Sequence, residues 1–272
     1  MIDRDKFPFD YDSLLGELSG EKIILVLGGI DTGKTTLIRA LHEDIGGEVI
    51  DGDVGQPEIG PPGIISRGTY GDGLEDGYFV GDITPRDNLV QVVGGISKMA
   101  KDCDLPCFVD TDGWVEGGAA GVYKSELIEL LEPDKVILLE KENELENFCS
   151  QISEERMVRL NAQTLRGKSP GERAANRARR FKYYFFRGKC FFKSWDSVKV
   201  GGSLVDLKGR RELETGRHKN RLAGCYRGFD FECLGIIREV RSEGIEVYTL
   251  SKKFDTLKLG KIKVEPSGRQ IE

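Results

Sequence analysis

Apolar residues along this chain fall into short unbroken runs separated by stretches with helical spacing. Lys22-Ile23-Ile24-Leu25-Val26-Leu27 is such a run, of strand length, and unbroken runs fit strands buried on both faces. Further runs at 48–50, 78–80, 106–109 and 135–139 predict more strands. Helical spacing occupies 10–18, 34–42, 88–101, 120–131 and 143–150. Strands alternating with helices predict an α/β fold, a parallel sheet with helices on both faces. Residues 51–77 break the pattern. Glycines at 52, 55, 60, 63, 68, 71, 73 and 77, with three prolines, predict one long loop, and loops of that length are usually functional. From about 189 the texture changes to short β-type segments at 189–194, 197–207, 223–227, 233–240, 245–250 and 257–264. They predict a small β-rich C-terminal domain, barrel-like and poor in helix. The expected division is therefore 1–188 and 189–272.

Composition narrows the class. Of 272 residues, 39% are hydrophobic and 32% charged, which supports a sizeable core rather than disorder. No apolar run approaches the ~18–20 residues of a membrane span. The opening MIDRDKFPFDYD lacks a basic stretch followed by an apolar one, so no secretory signal is expected. Six cysteines form no CxxC pair and stand beside only two histidines, which predicts reduced thiols in a cytoplasmic protein rather than a zinc site. The net charge of −6 argues against a general nucleic-acid coat, yet residues 166–193 carry ten Lys/Arg against Glu172 alone. That block is either a local anion site or a solvated helix face.

The chemistry concentrates at three places. Gly28-Gly29-Ile30-Asp31-Thr32-Gly33-Lys34-Thr35, followed by Thr36, satisfies GxxxxGK[ST] after a buried strand and at a helix start. Backbone N–H groups there can curl round phosphates, Lys34 can reach the β- and γ-phosphates, and the Thr35 hydroxyl can ligate Mg²⁺. Asp51 and Asp53 end the second strand at the same sheet edge, two apart, so both are expected to face the γ-phosphate region if the strand runs that far, the alternative being a capping or turn aspartate. Asp110 ends Cys107-Phe108-Val109-Asp110, the form of an acid beside the metal. Base and metal roles stay open between Asp53 and Asp110. Trp114 can stack a nucleobase or belong to the core.

These segments resemble, in order along most of the chain, the polynucleotide 5′-hydroxyl-kinase family, the P-loop RNA kinases linked to tRNA splicing, mRNA 3′-end formation and pre-rRNA processing. The likeness rests on the P-loop with Asp31 at its fourth position and on Asp51-Gly52-Asp53-Val54-Gly55-Gln56 running into Pro61-Pro62-Gly63. It continues through Tyr78-Phe79-Val80-Gly81-Asp82 to Thr84-Pro85-Arg86, and through Thr111-Asp112-Gly113-Trp114. It ends with Ser169-Pro170-Gly171 to Arg173, a lid at about 166–188, and a tail similar to small prokaryotic members. The resemblance implies a P-loop kinase domain, ATP and Mg²⁺, and an RNA substrate with a 5′-hydroxyl end. It implies Asp53 as general base, Thr35, Asp53 and Asp110 at the metal, and Gln56, Thr111 and Trp114 at the RNA. Lys34 and lid arginines among Arg173, Arg177 and Arg180 are then the catalytic cations; their spacings of four and three put them on one helix face.

The expected activity is transfer of the γ-phosphate of ATP to the 5′-OH of RNA, with DNA as a further acceptor. The alternative is an ATP-binding RNA-processing scaffold without turnover. A GTPase-type switch lacks support because no [NT]KxD signature stands out. A basic run at Lys208, Arg210, Arg211, Arg217, Lys219 and Arg221 allows RNA contact in the C-terminal part or is a solvated loop.

Overall fold

The structure, a computed structural model, describes residues 4–162, 166–201 and 215–271. Lys208, Arg210, Arg211 and the 202–207 end of an expected strand lie outside the described residues. The first elements are α1 (Tyr11–Leu18), β1 (Ile23–Gly28), α2 (Lys34–Ile45) and β2 (Glu48–Asp51). Next come β3 (Ile64–Thr69), β4 (Gly73–Phe79), α3 (Leu89–Lys101), β5 (Cys107–Asp110), α4 (Gly118–Leu131) and β6 (Lys135–Glu140). The short α5 (Glu146–Cys149), β7 (Met157–Asn161) and α6 (Pro170–Tyr184) complete the first part.

The first sheet runs β4-β3-β2-β5-β1-β6-β7. From β2 to β7 its neighbours are parallel, as the buried apolar runs predict. Helices α1 and α2 bury Tyr11, Leu14, Leu37 and Ile38 against one face, and α3 and α4 bury Val92, Ile96, Tyr123 and Leu127 against the other. Register matters for the site. Asp51 pairs with Asp110 across β2 and β5, and Val26 of β1 pairs with Asp110 from the other side. Three strand ends thus deliver the P-loop and two acidic segments to one sheet edge.

The expected loop over 51–77 is only half a loop. Its second half folds into β3 and β4, an antiparallel hairpin added beside β2, and the 78–80 run belongs to the end of that hairpin rather than to a crossover strand. Both faces of β3 are covered, so Ile64, Ile65 and Ser66 are all buried and no alternation marks the strand. The 143–150 pattern yields only the four-residue α5, and β7 carries two charged or polar exposed positions that hid it.

From Lys189 a second sheet begins, comprising β8 (Lys189–Ser194), β9 (Lys199–Gly201), β10 (Arg221–Arg227), β11 (Asp230–Val240), β12 (Gly244–Thr249), β13 (Thr256–Val264) and β14 (Gln270–Ile271), with a one-turn α7 (Thr215–His218). Its order is β14-β13-β10-β11-β12-β8, with β9 parallel to β13. Among the described residues its two ends do not pair, so it is an open sheet and not a closed barrel. All six cysteines are free thiols, and no described helix is long and apolar enough to cross a membrane.

Helix α6 joins the two sheets. Its start is a capping box: Ser169 Oγ accepts from the Glu172 N–H while the Glu172 carboxylate accepts from the Ser169 N–H, with Pro170 in the first turn. That reciprocal cap is why the single acid of the basic block stands where it does. Its far end is rooted in an apolar cluster where Phe181 and Phe185 meet Ile64 and Phe79 of the hairpin and Leu222, Leu234 and Ile236 of the second sheet. Tyr184 Oη accepts from the Leu234 N–H at 3.0 Å, and Tyr248 Oη donates to the Phe185 carbonyl at 3.1 Å. Phe181→Ala empties the centre of this cluster, and a loss of about 3–5 kcal/mol in urea unfolding is expected. A loss below about 1 kcal/mol would show that the helix root is not packed as described.

Candidate active site

The P-loop is built by a sharp exit from β1. Gly33 sits at φ 94°, the left-handed region where only glycine is free of strain, and caps α2. Asp31 also takes a positive φ, 55°, which an aspartate tolerates better than most residues. Lys34 is buried, and its Nζ donates to the carbonyls of Gly28 and Gly29 at 2.8 Å each. Burial holds its pKa below that of an ordinary lysine, against the opposing pull of Asp110, Asp53, Asp112 and Asp31.

Residues Ile30 through Thr36 line a cavity of about 660 Å³, whose other walls include Asp53, Gln56, Trp114, Arg173 and Arg177. Asp53 is half-buried there. Its Oδ1 accepts from the N–H groups of Gly55 and Gln56, both at 2.9 Å, while Oδ2 makes no hydrogen bond among the described residues. Desolvation by burial raises its pKa, with Asp112 adding to the rise and the two N–H groups opposing it.

Asp51 does not share that position. Strand β2 ends at Asp51, the chain turns, and the Asp51 carboxylate accepts from the backbone N–H groups of Asp53, Glu58 and Ile59. It is a buried tie for the following loop, so the expectation that both acids face the cavity is corrected. Asp110 lies behind Thr35: Thr35 Oγ1 donates to Asp110 Oδ2 at 2.6 Å. Burial pushes the Asp110 carboxyl up to about 6, with Lys34 and the Thr35 hydroxyl resisting. Among the described residues no three His, Cys, Asp or Glu side chains form an all-protein metal cage. A hydroxyl with a carboxylate behind it suits Mg²⁺, which usually takes one or two protein groups and completes its shell with phosphate and water oxygens.

The remaining expected residues divide. Thr111 lines the cavity, but its hydroxyl donates to the Val26 carbonyl at 2.9 Å and holds β1 to β5. Gln56 reaches α6, donating to the Arg173 carbonyl and accepting from Asn176. Trp114 packs half-buried on the first core cluster and its remaining surface lines the cavity. Its ring lies 6.3 Å from that of Tyr123 at 28°, and the Arg86 guanidinium stands 5.3 Å from its centre. Gly113 before it leaves room for Ile30, whose Cα would stand 2.7 Å from a Cβ at 113.

The three arginines singled out on α6 also differ. Arg173 pairs with Asp31 of the P-loop at 2.8 Å. Arg180 lies outside the cavity lining and pairs with Glu58 at 2.8 Å. Arg177 lines the cavity and donates to Gln270 Oε1 at 2.6 Å, and among the described residues it has no carboxylate partner.

Lys124 was missed from the sequence. It is fully buried on α4, and its Nζ lies 3.2 Å from both the carbonyl and Oδ2 of Asp112. Tyr123 Oη donates to the same oxygen at 2.7 Å, and Asp112 Oδ1 accepts from the Trp114 N–H at 2.8 Å. A signal existed: Lys124 occupies the apolar stripe of α4 formed by Ala120, Tyr123, Leu127 and Leu131.

A mononucleotide-sized anion cradle at the edge of a largely parallel sheet, with helices on both faces, defines a P-loop nucleotide-binding protein. Residues 28–187 match the family described as the mRNA cleavage and polyadenylation factor CLP1 P-loop, and the chain belongs to that family. It is 31% identical over 209 residues to a polyribonucleotide 5′-hydroxyl-kinase of Methanocaldococcus jannaschii, covering 70% of this chain and 57% of that protein. It is 30% identical over 217 residues to the protein of that name from Pyrococcus horikoshii, covering 74% and 60%. The chain thus spans less than two thirds of the length of these relatives. A chain of a solved Clp1p–Pcf11p complex shares the fold with a TM-score of 0.71, over 92% of this chain and 77% of that one, at 13% identity.

Lys124→Met strands the buried Asp112 carboxylate without its cation. A loss of about 3–5 kcal/mol in urea unfolding is expected, with most of it recovered in the Asp112→Asn/Lys124→Met double variant. Additive losses would show that the two groups do not act as a pair.

Proposed function

We propose that this chain carries the catalytic site of an ATP-dependent polynucleotide 5′-hydroxyl kinase, acting on RNA ends. One observation supports it above the others. A P-loop lysine, a carboxylate with one oxygen uncommitted and an unpaired guanidinium share one cavity, large enough for a triphosphate and a strand end. Phosphoryl transfer needs in-line positioning and charge stabilisation, and those groups supply both. Residues up to about 188 would form the kinase domain and the second sheet a separate β-rich domain.

In this reading the P-loop N–H groups and Lys34 hold the β- and γ-phosphates. Thr35, backed by Asp110 and flanked by Asp53, holds Mg²⁺, which when bound neutralises charge on the phosphate oxygens. Asp53 takes the proton of the incoming 5′-hydroxyl on Oδ2, its other oxygen being fixed by Gly55 and Gln56. The 5′-oxygen bonds to the γ-phosphorus as the bond to the ADP oxygen breaks. Trp114 and Gln56 border the acceptor end.

The test is incubation with γ-labelled ATP, Mg²⁺ and a short 5′-OH oligoribonucleotide. Label on the oligonucleotide is expected from the wild type. Lys34→Ala should abolish binding and transfer together. Asp53→Asn should keep ATP binding and lower the rate by ~10²–10⁴. Bound ATP without any transfer from the wild type would favour the scaffold alternative, and an Asp53→Asn enzyme of normal rate would remove Asp53 as base.

The lid arginines separate by partner. Arg177→Ala should lower kcat by ~10³ or more with little change in the KM for ATP, the mark of a contact made in the transition state. Arg180→Ala, which leaves Glu58 paired with Arg39 alone, should reduce kcat by no more than ~10-fold, roughly 1.4 kcal/mol. The reverse order would move the transition-state role to Arg180.

A further inference from the structure

Beyond the cavity, α6 and the 3₁₀ turn that continues it (Phe185–Arg187) carry Phe181-Lys182-Tyr183-Tyr184-Phe185-Phe186-Arg187. The five rings divide. Phe181 and Phe185 are fully buried, and Tyr184 is half-buried with its hydroxyl bonded to Leu234, which accounts for the root of the helix. Tyr183 and Phe186 take no part in that root. They are 86% and 80% exposed, and among the described residues neither lies against another ring or a cation. Arg179, Lys182, Arg187 and Lys189 are exposed on the same stretch, and among the described residues none of the four meets a carboxylate. No acid occurs between Glu172 and Asp196. We propose that this outer face binds the body of a single-stranded acceptor, stacking bases on Tyr183 and Phe186 while the cations follow the phosphates; the proposal rests on the reading of the cavity as the seat of the strand's 5′ end.

Helical spacing interleaves charge and ring. Arg179 stands four residues before Tyr183, Lys182 four before Phe186, and Tyr183 four before Arg187, so each ring has a cation one turn away on its own side. A single strand offers the matching chemistry of flat bases on a charged backbone. Proteins that hold one without regard to sequence combine a basic track with aromatic rings. A lone exposed ring needs no explanation, because much of any protein surface is apolar. Two uncovered rings among four uncommitted cations do need one. Protein–protein interfaces are poor in charge at their centre and depleted of lysine, which argues against a protein as the occupant.

A short chain of polar contacts joins this face to the cavity. Gln56 lines the cavity, and its Oε1 accepts from Asn176 of α6 at 3.2 Å. Asn176 Oδ1 in turn accepts from Arg179 at 2.8 Å. Arg179 therefore lies between the cavity wall and the rings. Tyr183 is six residues past Arg177, about 9 Å along the axis, and Phe186 is about 14 Å past it, a reach of a few nucleotides. The other flank of α6 is covered, because Gly268 lies against the Ala178 carbonyl and leaves no room there for a Cβ. A strand leaving the cavity has the Asn176 and Arg179 flank open to it.

The experiment measures binding of 5′-OH oligoadenylates of two and ten nucleotides, labelled at the 3′ end, by fluorescence anisotropy without ATP. The wild type should bind the decanucleotide on the order of ten-fold or more tighter than the dinucleotide. Tyr183→Ala/Phe186→Ala should weaken decanucleotide binding by ~10-fold or more and leave dinucleotide binding unchanged. Both rings are exposed, so this variant should keep the wild-type thermal midpoint, which checks its fold. Lys182→Gln/Arg187→Gln should flatten the decanucleotide salt slope by roughly 1.4, about 0.7 per lost phosphate contact. A folded ring variant with wild-type decanucleotide affinity would overturn the proposal and leave the rings to a partner other than a nucleic acid. Equal losses for both lengths would place the effect in the cavity and overturn it as well, as would a wild-type affinity independent of length. Transfer from γ-labelled ATP to neither acceptor by the wild type would count against the kinase reading of the cavity, while the binding comparison would still decide the role of this face.

Discussion

Four aspartates, at 51, 53, 110 and 112, are held at the ends of two adjacent parallel strands, beside a loop shaped to receive polyphosphate. Like charges so close in a partly dry site repel strongly, and polyphosphate would add to the repulsion. The structure around them answers that concentration of charge. Asp51 is hydrogen-bonded to three backbone N–H groups, Asp110 to Thr35, Asp53 to two N–H groups, and Asp112 to Tyr123, Lys124 and the Trp114 N–H. Lys34 and Lys124 supply the buried cations. Even so, Asp51, Asp53 and Asp110 have raised pKa values, burial being the largest cause for each. A divalent cation has a natural place in such a site, because it relieves repulsion that the protein only partly compensates.

The parallel half of the fold was legible because burial on both faces leaves an unbroken apolar signature, as in Ile23 through Leu27. The hairpin of β3 and β4 was not. Glycines at 68, 73 and 77 and a mixture of buried and half-exposed positions remove both periodicity and continuity. The site divided in the same way. Residues whose placement depends on a local turn, such as Lys34 and Thr35, could be located at the start of α2 from spacing alone. Asp51 and Asp53 could not be told apart, because which one faces the cavity depends on where β2 stops, and that is settled by the backbone groups of Glu58 and Ile59. The apolar stripe of α4 marked Lys124, but its partner required knowing that α4 packs behind Asp112, a long-range contact that the stripe does not encode.

The basic block shows the same limit. Its +9 charge suits an anion-facing segment or a solvated helix face, and does not say which cation is available. Two of the three singled-out arginines are spent on carboxylates: Arg173 on Asp31 and Arg180 on Glu58. These pairs join the first turn of α6 to the P-loop and its later part to the loop after β2, while Phe181 and Phe185 root its end in the second sheet. The helix is held at both ends of its reach, and Arg177 lies between the two pairs.

That placement decides what Arg177 can contribute. A guanidinium already neutralised by a carboxylate gains little when a phosphoryl group becomes more negative, because the carboxylate must first be displaced. Only a contact that strengthens in the transition state accelerates transfer. Arg177 is oriented by the neutral side-chain oxygen of Gln270, which fixes its direction without cancelling its charge. Burial also lowers its pKa, so its charge is poorly solvated and better rewarded by an anion than an exposed arginine would be. Gln270 comes from the last strand of the second sheet, which ties that sheet to the proposed chemistry. The β-rich part thus supports the proposed site through α6, rooting the helix with apolar contacts and aiming the Arg177 side chain with an amide.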